Sequence, residues 1–174
     1  KALKKRLDEQ TKAETASAVF ALLESCPEFQ NAHKILVYHA LPDELPTQDF
    51  LQQWADGKQL YLPRVNGEEL DILLYSPESL HKGAFNILEP DGNECTDVET
   101  LDLIIVPAVA FDRRGNRLGR GKGFYDRLLQ KAKCPKIGIA YHFQLLDEIP
   151  AEPHDIPMDK IITEQGIISI HNIT

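Results

Sequence analysis

Three stretches of this chain are apolar without alternation: KILVYHAL (34–41), LDLIIVPAVAF (101–111) and KIGIAYHF (136–143). A strand with one wet face alternates polar and apolar residues, so unbroken runs of strand length demand cover on both faces. Between them the apolar period changes to that of a helix. Thr47 caps a helix to about Ala55 with Phe50, Leu51 and Trp54 on one face, and Gly57 stops it. Phe124 to Lys133 repeats through Tyr125, Leu128 and Leu129. Residues 1–24 read as helix through Leu3, Leu7, Val19, Leu22 and Leu23, divided at Thr11, which forms a capping box with Glu14, and closed by Pro27. QLYLPRV (59–65) and ELDILLY (69–75) flank Asn66-Gly67, a hairpin signal, and KIITEQGIISI (160–170) reads as a last pair of strands. Residues 76–99 read as irregular. The expected fold is α/β: three layers, a mainly parallel sheet with helices on both faces, Rossmann-like, in a single domain over residues 1–174. A chain of this length buries roughly 70% of its unfolded surface, enough for a core without staples.

In such sheets ligands bind beyond the carboxyl ends of the strands, and a strand–glycine loop–helix unit is the place to look. One such unit stands out, at 101–133. Gly115, Gly119, Gly121 and Gly123 crowd its loop, the last three alternating with Arg120 and Lys122. Glycine at every second position permits positive φ and close approach to the backbone amides. A helix starting near Gly123 adds unpaired N–H groups and partial positive charge. Arg120, Lys122 and Arg117 can supply charge-assisted bonds. The product is a phosphate cradle, although a solvated surface loop accommodates the same residues. It is not a Walker loop, because Gly123 rather than Ser or Thr follows Lys122, and it lacks the dinucleotide glycine spacing. Asp126, a turn into the helix, either meets a hard cation such as Mg²⁺ or pairs with the helix start, Arg127 or Lys122.

Charge supports a small polyanionic ligand over a nucleic acid. Residues 112–122 hold Arg113, Arg114, Arg117, Arg120 and Lys122 against Asp112, a local +4; with −8 on the whole chain, the rest carries −12. Cys26, Cys95 and Cys134 are odd in number and widely spaced, as free thiols of a reducing cytosol are. No stretch approaches the ~20 apolar residues of a membrane span, and the opening residues lack the apolar centre of a signal peptide. These features give an expectation of a cytoplasmic protein with no membrane or nucleic-acid partner, and of a monomer.

FDRRGNRLGRGKGFYDR (111–127) resembles the signature of the 5-formyltetrahydrofolate cyclo-ligase family, also called methenyltetrahydrofolate synthetases. LDLIIVPAVAFD (101–112), PDE (42–44), LPR (62–64), FNILEP (85–90) and PMD (157–159) follow the family's order and approximate distances over nearly the whole chain. The resemblance implies ATP- and Mg²⁺-dependent conversion of 5-formyltetrahydrofolate to 5,10-methenyltetrahydrofolate, ADP and phosphate. It implies that Arg117, Leu118, Gly119, Arg120, Gly121, Lys122, Gly123, Phe124 and Tyr125 bind ATP. Of these, Arg120, Gly121, Lys122, Gly123 and Phe124 also touch the folate, and Arg120, Lys122 and Tyr125 take part in catalysis. Asp126 and Asp159 match magnesium ligands, Glu44 a carboxylate facing the pterin, and His39 a substrate contact beside it; Arg64 and Phe85 are weaker matches. The family's Lys-x-x-Leu-Arg opening, which contacts ATP, falls ahead of Lys1 or is replaced by Lys1, Lys4 and Lys5. Two departures stand out: Phe85 where the family often has Trp, and Leu88 where Pro is common.

Other residues have plain readings. Asp112 ends the buried strand and can fix the loop by accepting N–H bonds. His142 reads as a core or rim histidine; His33, His81, His154 and His171 as surface residues; the acidic 147–155 segment as a solvated loop. The same cradle would also suit a sugar-phosphate isomerase-like enzyme working without ATP, or a nucleotide-binding sensor.

Overall fold

The computed structural model describes residues 8–76, 80–82, 88–90, 95–153 and 155–170. Leu3, Leu7, the three early lysines, Phe85, His154, His171 and the side chain of His81 lie outside the described residues. The described helices are α1 (Glu9–Glu24), α2 (Pro27–Gln30), α3 (Gln48–Trp54) and α4 (Phe124–Lys131). The strands are β1 (Lys34–Leu36), β2 (Gln59–Asn66), β3 (Glu69–Leu74), β4 (Leu80–Lys82), β5 (Leu88–Pro90), β6 (Leu103–Val106), β7 (Ala110–Asp112), β8 (Arg117–Leu118), β9 (Lys136–Ile139), β10 (Leu145–Leu146), β11 (Lys160–Thr163) and β12 (Gly166–Ser169). Seven of them form one sheet in the order β12-β11-β9-β6-β1-β2-β3. Its four central pairings are parallel; only the edge pairings β2–β3 and β11–β12 are antiparallel.

The unbroken apolar runs serve two cores. Leu103 and Ile105 of β6 face one side with α1 and α3, while Ile104 and Val106 face the other with Leu128 and Leu129 of α4. Ile35 and Leu36 of β1 divide in the same way. No helix among the described residues is long and apolar enough to cross a membrane.

Several expected boundaries move, each for a local reason. Thr11 neither divides nor caps the first helix: Asp8 is the cap, its carboxylate accepting from Thr11 N–H at 2.7 Å. Thr47 is the N-cap of α3 as expected and Ala55 its C-cap, but the Thr47 side chain makes no capping bond, because its hydroxyl donates to Tyr38 C=O at 2.7 Å. The 101–111 run breaks at Pro107, which has no N–H for a ladder, and β7 joins a separate three-stranded sheet, β10-β7-β8. The runs from 34 and 136 leave the ladder early, at Leu36 and Ile139. The 76–99 stretch is not wholly irregular, since β4 and β5 pair within it. The hairpin closes over Gly67 and Glu68, with Asn66 opposite Glu69, one residue later than the Asn-Gly signal suggests.

The small sheet delivers the glycine loop, and Asp112 holds it. Its side chain is 0% exposed. One carboxylate oxygen accepts from the N–H groups of Arg114 (2.9 Å) and Asn116 (3.0 Å), the other from Asn116 Nδ2 (3.0 Å) and Ile149 N–H (2.9 Å). Burial pushes this carboxyl up, but the four donors together outweigh it and leave it below the ordinary Asp value. The loop-anchoring reading of Asp112 therefore holds. One residue back, the Phe111 ring lies on Gly138 of β9 so closely that a Cβ there would sit 2.5 Å from Cζ.

Gly138→Ala is expected to destabilise the fold by about 1–3 kcal/mol through overpacking against Phe111, read from denaturant unfolding. The folded pKa of Asp112 lies below its unfolded value of about 3.9. Its stabilisation is thus complete above that value and is lost as pH falls through the folded pKa. Asp112→Asn should therefore lower stability at pH 7 by about 1–3 kcal/mol and flatten the decline toward pH 3. An unchanged acid limb would remove Asp112 from that role.

Candidate active site

The order of the large sheet reverses direction between β6 and β1. From β1 the chain passes through α3 to β2 on one side; from β6 it passes through α4 to β9 on the other. The two connections depart on opposite faces and open a crevice at the carboxyl ends of β1 and β6. Into it project the residues after β1, including half-buried His39 and the 41–45 turn, and the loop from β8 to α4.

The β1 side is held from both flanks. Lys12 Nζ donates to Pro42 C=O at 2.9 Å and Tyr38 OH to Leu45 C=O at 3.0 Å, while Glu44 Oε1 accepts from Leu41 N–H at 2.9 Å. On the other side, Gly121 and Gly123 take left-handed backbone, φ 90° and 74°, so two of the alternating glycines meet the conformation that requires them. Gly123 is the N-cap of α4, and no side chain caps that helix. Arg127 braces the loop by donating through Nη2 to Lys122 C=O at 3.1 Å and through Nε to Glu68 C=O at 2.9 Å.

Arg120 joins the two sides. Its Nη2 lies 2.7 Å from Asp43 Oδ1 and 3.3 Å from Glu44 Oε2. Glu44 is only 8% exposed, and burial pushes its carboxyl above the ordinary value against the pull of Leu41 N–H and Arg120. Burial lowers His39, which favours the neutral ring. Burial, Glu44 and two neighbouring phenols keep the Tyr38 hydroxyl protonated.

Beneath the loop lies a second charge cluster. Arg117, its side chain 8% exposed, donates to Pro107 C=O at 3.3 Å, pairs with Asp126 Oδ1 at 3.6 Å and lies over the Tyr125 ring at 5.3 Å. Burial lowers its pKa, while Asp126, Tyr125, Asp155 and Glu44 pull it back. Asp155 thus stands within electrostatic reach of the same guanidinium as Asp126. Burial and Glu44 raise the Tyr125 phenol. Among the described residues two buried side-chain polar atoms have no hydrogen-bond partner, Arg117 Nε and the Tyr141 hydroxyl. Tyr141 follows the carboxyl end of β9, and Arg117, on β8, reaches the Pro107 carbonyl just past the carboxyl end of β6.

The sequence-derived residues fall into two groups. Glu44, His39, Arg117, Leu118, Gly119, Arg120, Gly121, Lys122, Gly123, Phe124, Tyr125 and Asp126 lie on the two elements flanking the crevice. Leu118 and Lys122 are exposed, and Phe124 is half-buried beneath the Arg127 guanidinium at 5.6 Å. Asp126 pairs with Arg117 rather than with Arg127 or Lys122 as its spacing allowed. Asp159 lies elsewhere. It precedes β11 and accepts from Lys136 N–H at 2.8 Å, at the amino ends of the parallel strands, whereas Asp126 begins a helix at their carboxyl ends. The structure brings no contact between them. Asp155, four residues earlier, falls in the acidic stretch whose pattern reads as a solvated loop; it is instead half-buried and fixed by a bond from Glu152 N–H at 2.8 Å. Nothing in the linear pattern separates it from its acidic neighbours. Arg64 pairs with Asp71 on the β2–β3 hairpin at 3.5 Å. His142 lies at the rim, Nδ1 3.5 Å from Thr163 Oγ1.

Comparison with known proteins agrees with this fold. The 5-formyltetrahydrofolate cyclo-ligase family profile matches residues 1–164. The 5-formyltetrahydrofolate cyclo-ligase of Escherichia coli K12 is 37% identical over 151 residues, covering 81% of this chain and 83% of its own. The mouse enzyme of the same name is 32% identical over 156 residues, covering 80% and 77%. The solved structure of Aquifex aeolicus 5,10-methenyltetrahydrofolate synthetase superposes with a TM-score of 0.89 at 36% identity, over 99% of this chain and 90% of that one. With its glycine loop facing Glu44 across a reversed sheet, and with these relatives along most of its length, the chain belongs to the 5-formyltetrahydrofolate cyclo-ligase family.

Proposed function

We propose that residues 1–174 form one domain that converts 5-formyltetrahydrofolate to 5,10-methenyltetrahydrofolate, using ATP and Mg²⁺ and releasing ADP and phosphate. The relatives' names support the folate reaction. The observation that carries the reading is the approach of two unlike recognition elements across one crevice, a buried carboxylate on Glu44 and a cationic, left-handed glycine loop at 119–123.

Each element suits one substrate. A pterin presents an amino group and ring N–H donors along one edge, which a buried carboxylate such as Glu44 binds strongly. Tyr125 and Phe124 supply flat faces nearby. The triphosphate suits the loop amides, Arg120, Lys122 and the uncapped start of α4. A formamide oxygen is a poor leaving group and needs activation. The formyl oxygen takes the γ-phosphoryl group and ADP departs; N10 then attacks the activated carbon and loses its proton, and phosphate leaves with the former formyl oxygen. Phosphoryl transfer of this kind depends on positioning and charge neutralisation, so no side chain need act as a covalent nucleophile.

No group of three or more metal-type side chains occurs among the described residues. Magnesium in nucleotide sites takes one or two carboxylates and completes its shell with water and phosphate, so the residues fit it without a cage. Asp126, paired with Arg117, and Asp155, within electrostatic reach of the same guanidinium, are the pair that would hold it, in place of Asp126 with Asp159. When bound it offsets phosphate charge.

The reading is tested by the absorbance of the methenyl product. Signal should require 5-formyltetrahydrofolate, ATP and magnesium together; none with all three overturns it. Lys122→Ala is expected to depress turnover at least ~100-fold, since a donor aimed at developing charge is lost, and near-normal turnover would take the loop out of the reaction. Asp126→Asn and Asp155→Asn should each raise the magnesium concentration for half-maximal rate, while Asp159→Asn leaves it unchanged and acts on stability through Lys136. A magnesium requirement that follows Asp159 instead would reverse the choice.

A further inference from the structure

The same Arg120 nitrogen touches two carboxylates that differ in every respect relevant to function. Asp43 is the nearer, at 2.7 Å, within the range of a charge-assisted hydrogen bond, and is 38% exposed; Glu44 is at 3.3 Å and buried. A hydrated carboxylate stays ionised at little cost, whereas a buried one needs a donor or a cation at all times. For Glu44, Arg120 occupies in the free protein the position that a ligand's N–H groups would take. For Asp43 no such exchange is called for.

Arg120 also needs an anchor. It stands between Gly119 and Gly121, the latter in left-handed backbone, and is itself 39% exposed, so the main chain does little to aim it. Asp43 sits on a turn fixed at Pro42 by Lys12 and at Leu45 by Tyr38, a rigid base on the opposite wall.

We propose that Asp43 is a positioning residue for Arg120. It holds the guanidinium at the mouth of the crevice, so that Glu44 can leave the ion pair and engage the folate while Arg120 stays aimed at the transferring phosphoryl group. The inference rests on the reading of Glu44 and Arg120 given above. As a positioning residue Asp43 acts through Arg120, so its effect on turnover must shrink where Arg120 cannot respond.

The test is a double-mutant cycle in the methenyl absorbance assay with wild type, Asp43→Asn, Arg120→Lys and the double variant. Lysine keeps the charge but loses the planar fork. Asp43→Asn should lower kcat about tenfold, the size of a misplaced charge interaction of about 1.4 kcal/mol, with KM for the folate within about twofold. In the Arg120→Lys background the same change should alter kcat less than about twofold, the signature of a shared interaction. The melting temperature should hardly move, since a pair this exposed adds little stability. Wild-type kcat in Asp43→Asn, or losses that multiply in the double variant, would overturn the positioning role while leaving the reaction standing. An inactive wild type would instead remove the underlying reading, and this inference with it.

Discussion

Two crossovers leave adjacent strands of one sheet in opposite directions, and the crevice between them is the feature every other part of the site depends on. The sheet is covered on both faces because β1, β6 and β11 are apolar on both, and the second face of β9 offers Gly138 to the Phe111 ring. With both faces taken, polar chemistry is pushed to the ends of the strands, where backbone groups are unpaired and water has access. The reversal between β6 and β1 decides which part of that edge is concave. The 41–45 turn and the 119–123 loop meet there although 76 residues of sequence separate Arg120 from Glu44.

The charges around this crevice are arranged so that none is buried alone. The cationic island stands out in an acidic chain, yet two of its arginines are already engaged, Arg120 with Asp43 and Glu44 and Arg117 with Asp126; Arg127, just beyond it, holds backbone carbonyls and Glu69. Burying an ion without a partner is far costlier than pairing it. In this structure the cationic Arg120 and the carboxylates of Asp43 and Glu44 neutralise each other across the crevice. Arg117 Nε and the Tyr141 hydroxyl are the exceptions, buried without partners at this same end of the sheet. Proteins seldom leave such groups unsatisfied except where something else is to meet them.

How much of this was legible in the chain depends on range. Left-handed glycines beside cations announce themselves locally, and Gly121 and Gly123 adopt the expected backbone. Asp112 could be read as a loop anchor because its partners at Arg114 and Asn116 are two and four residues away. Asp8 displaced Thr11 as the cap of α1 because a carboxylate three residues earlier offers a stronger acceptor to the same helix end. Thr47 keeps the N-cap position of α3, but its hydroxyl is taken by Tyr38, nine residues away, which no local pattern contains. Asp155 and Asp159 are close in sequence and chemically identical. Only the path of the chain, passing the carboxyl ends before turning down to start β11 at the amino ends, separates the one within electrostatic reach of Arg117 from the one bonded to Lys136 N–H.

The amino-acid order by itself determined the layered α/β class, the doubly buried strands and the cationic loop with its left-handed Gly121 and Gly123, because periodicity, glycine conformation and local charge act over a few residues. Tertiary structure decided which carboxylates face that loop, which arginine nitrogen is left without a partner, and that Phe111 needs a glycine beneath it on β9. Those are matters of distance between segments remote along the chain, settled by the packing of helices on two faces and by the direction in which each connection leaves the sheet.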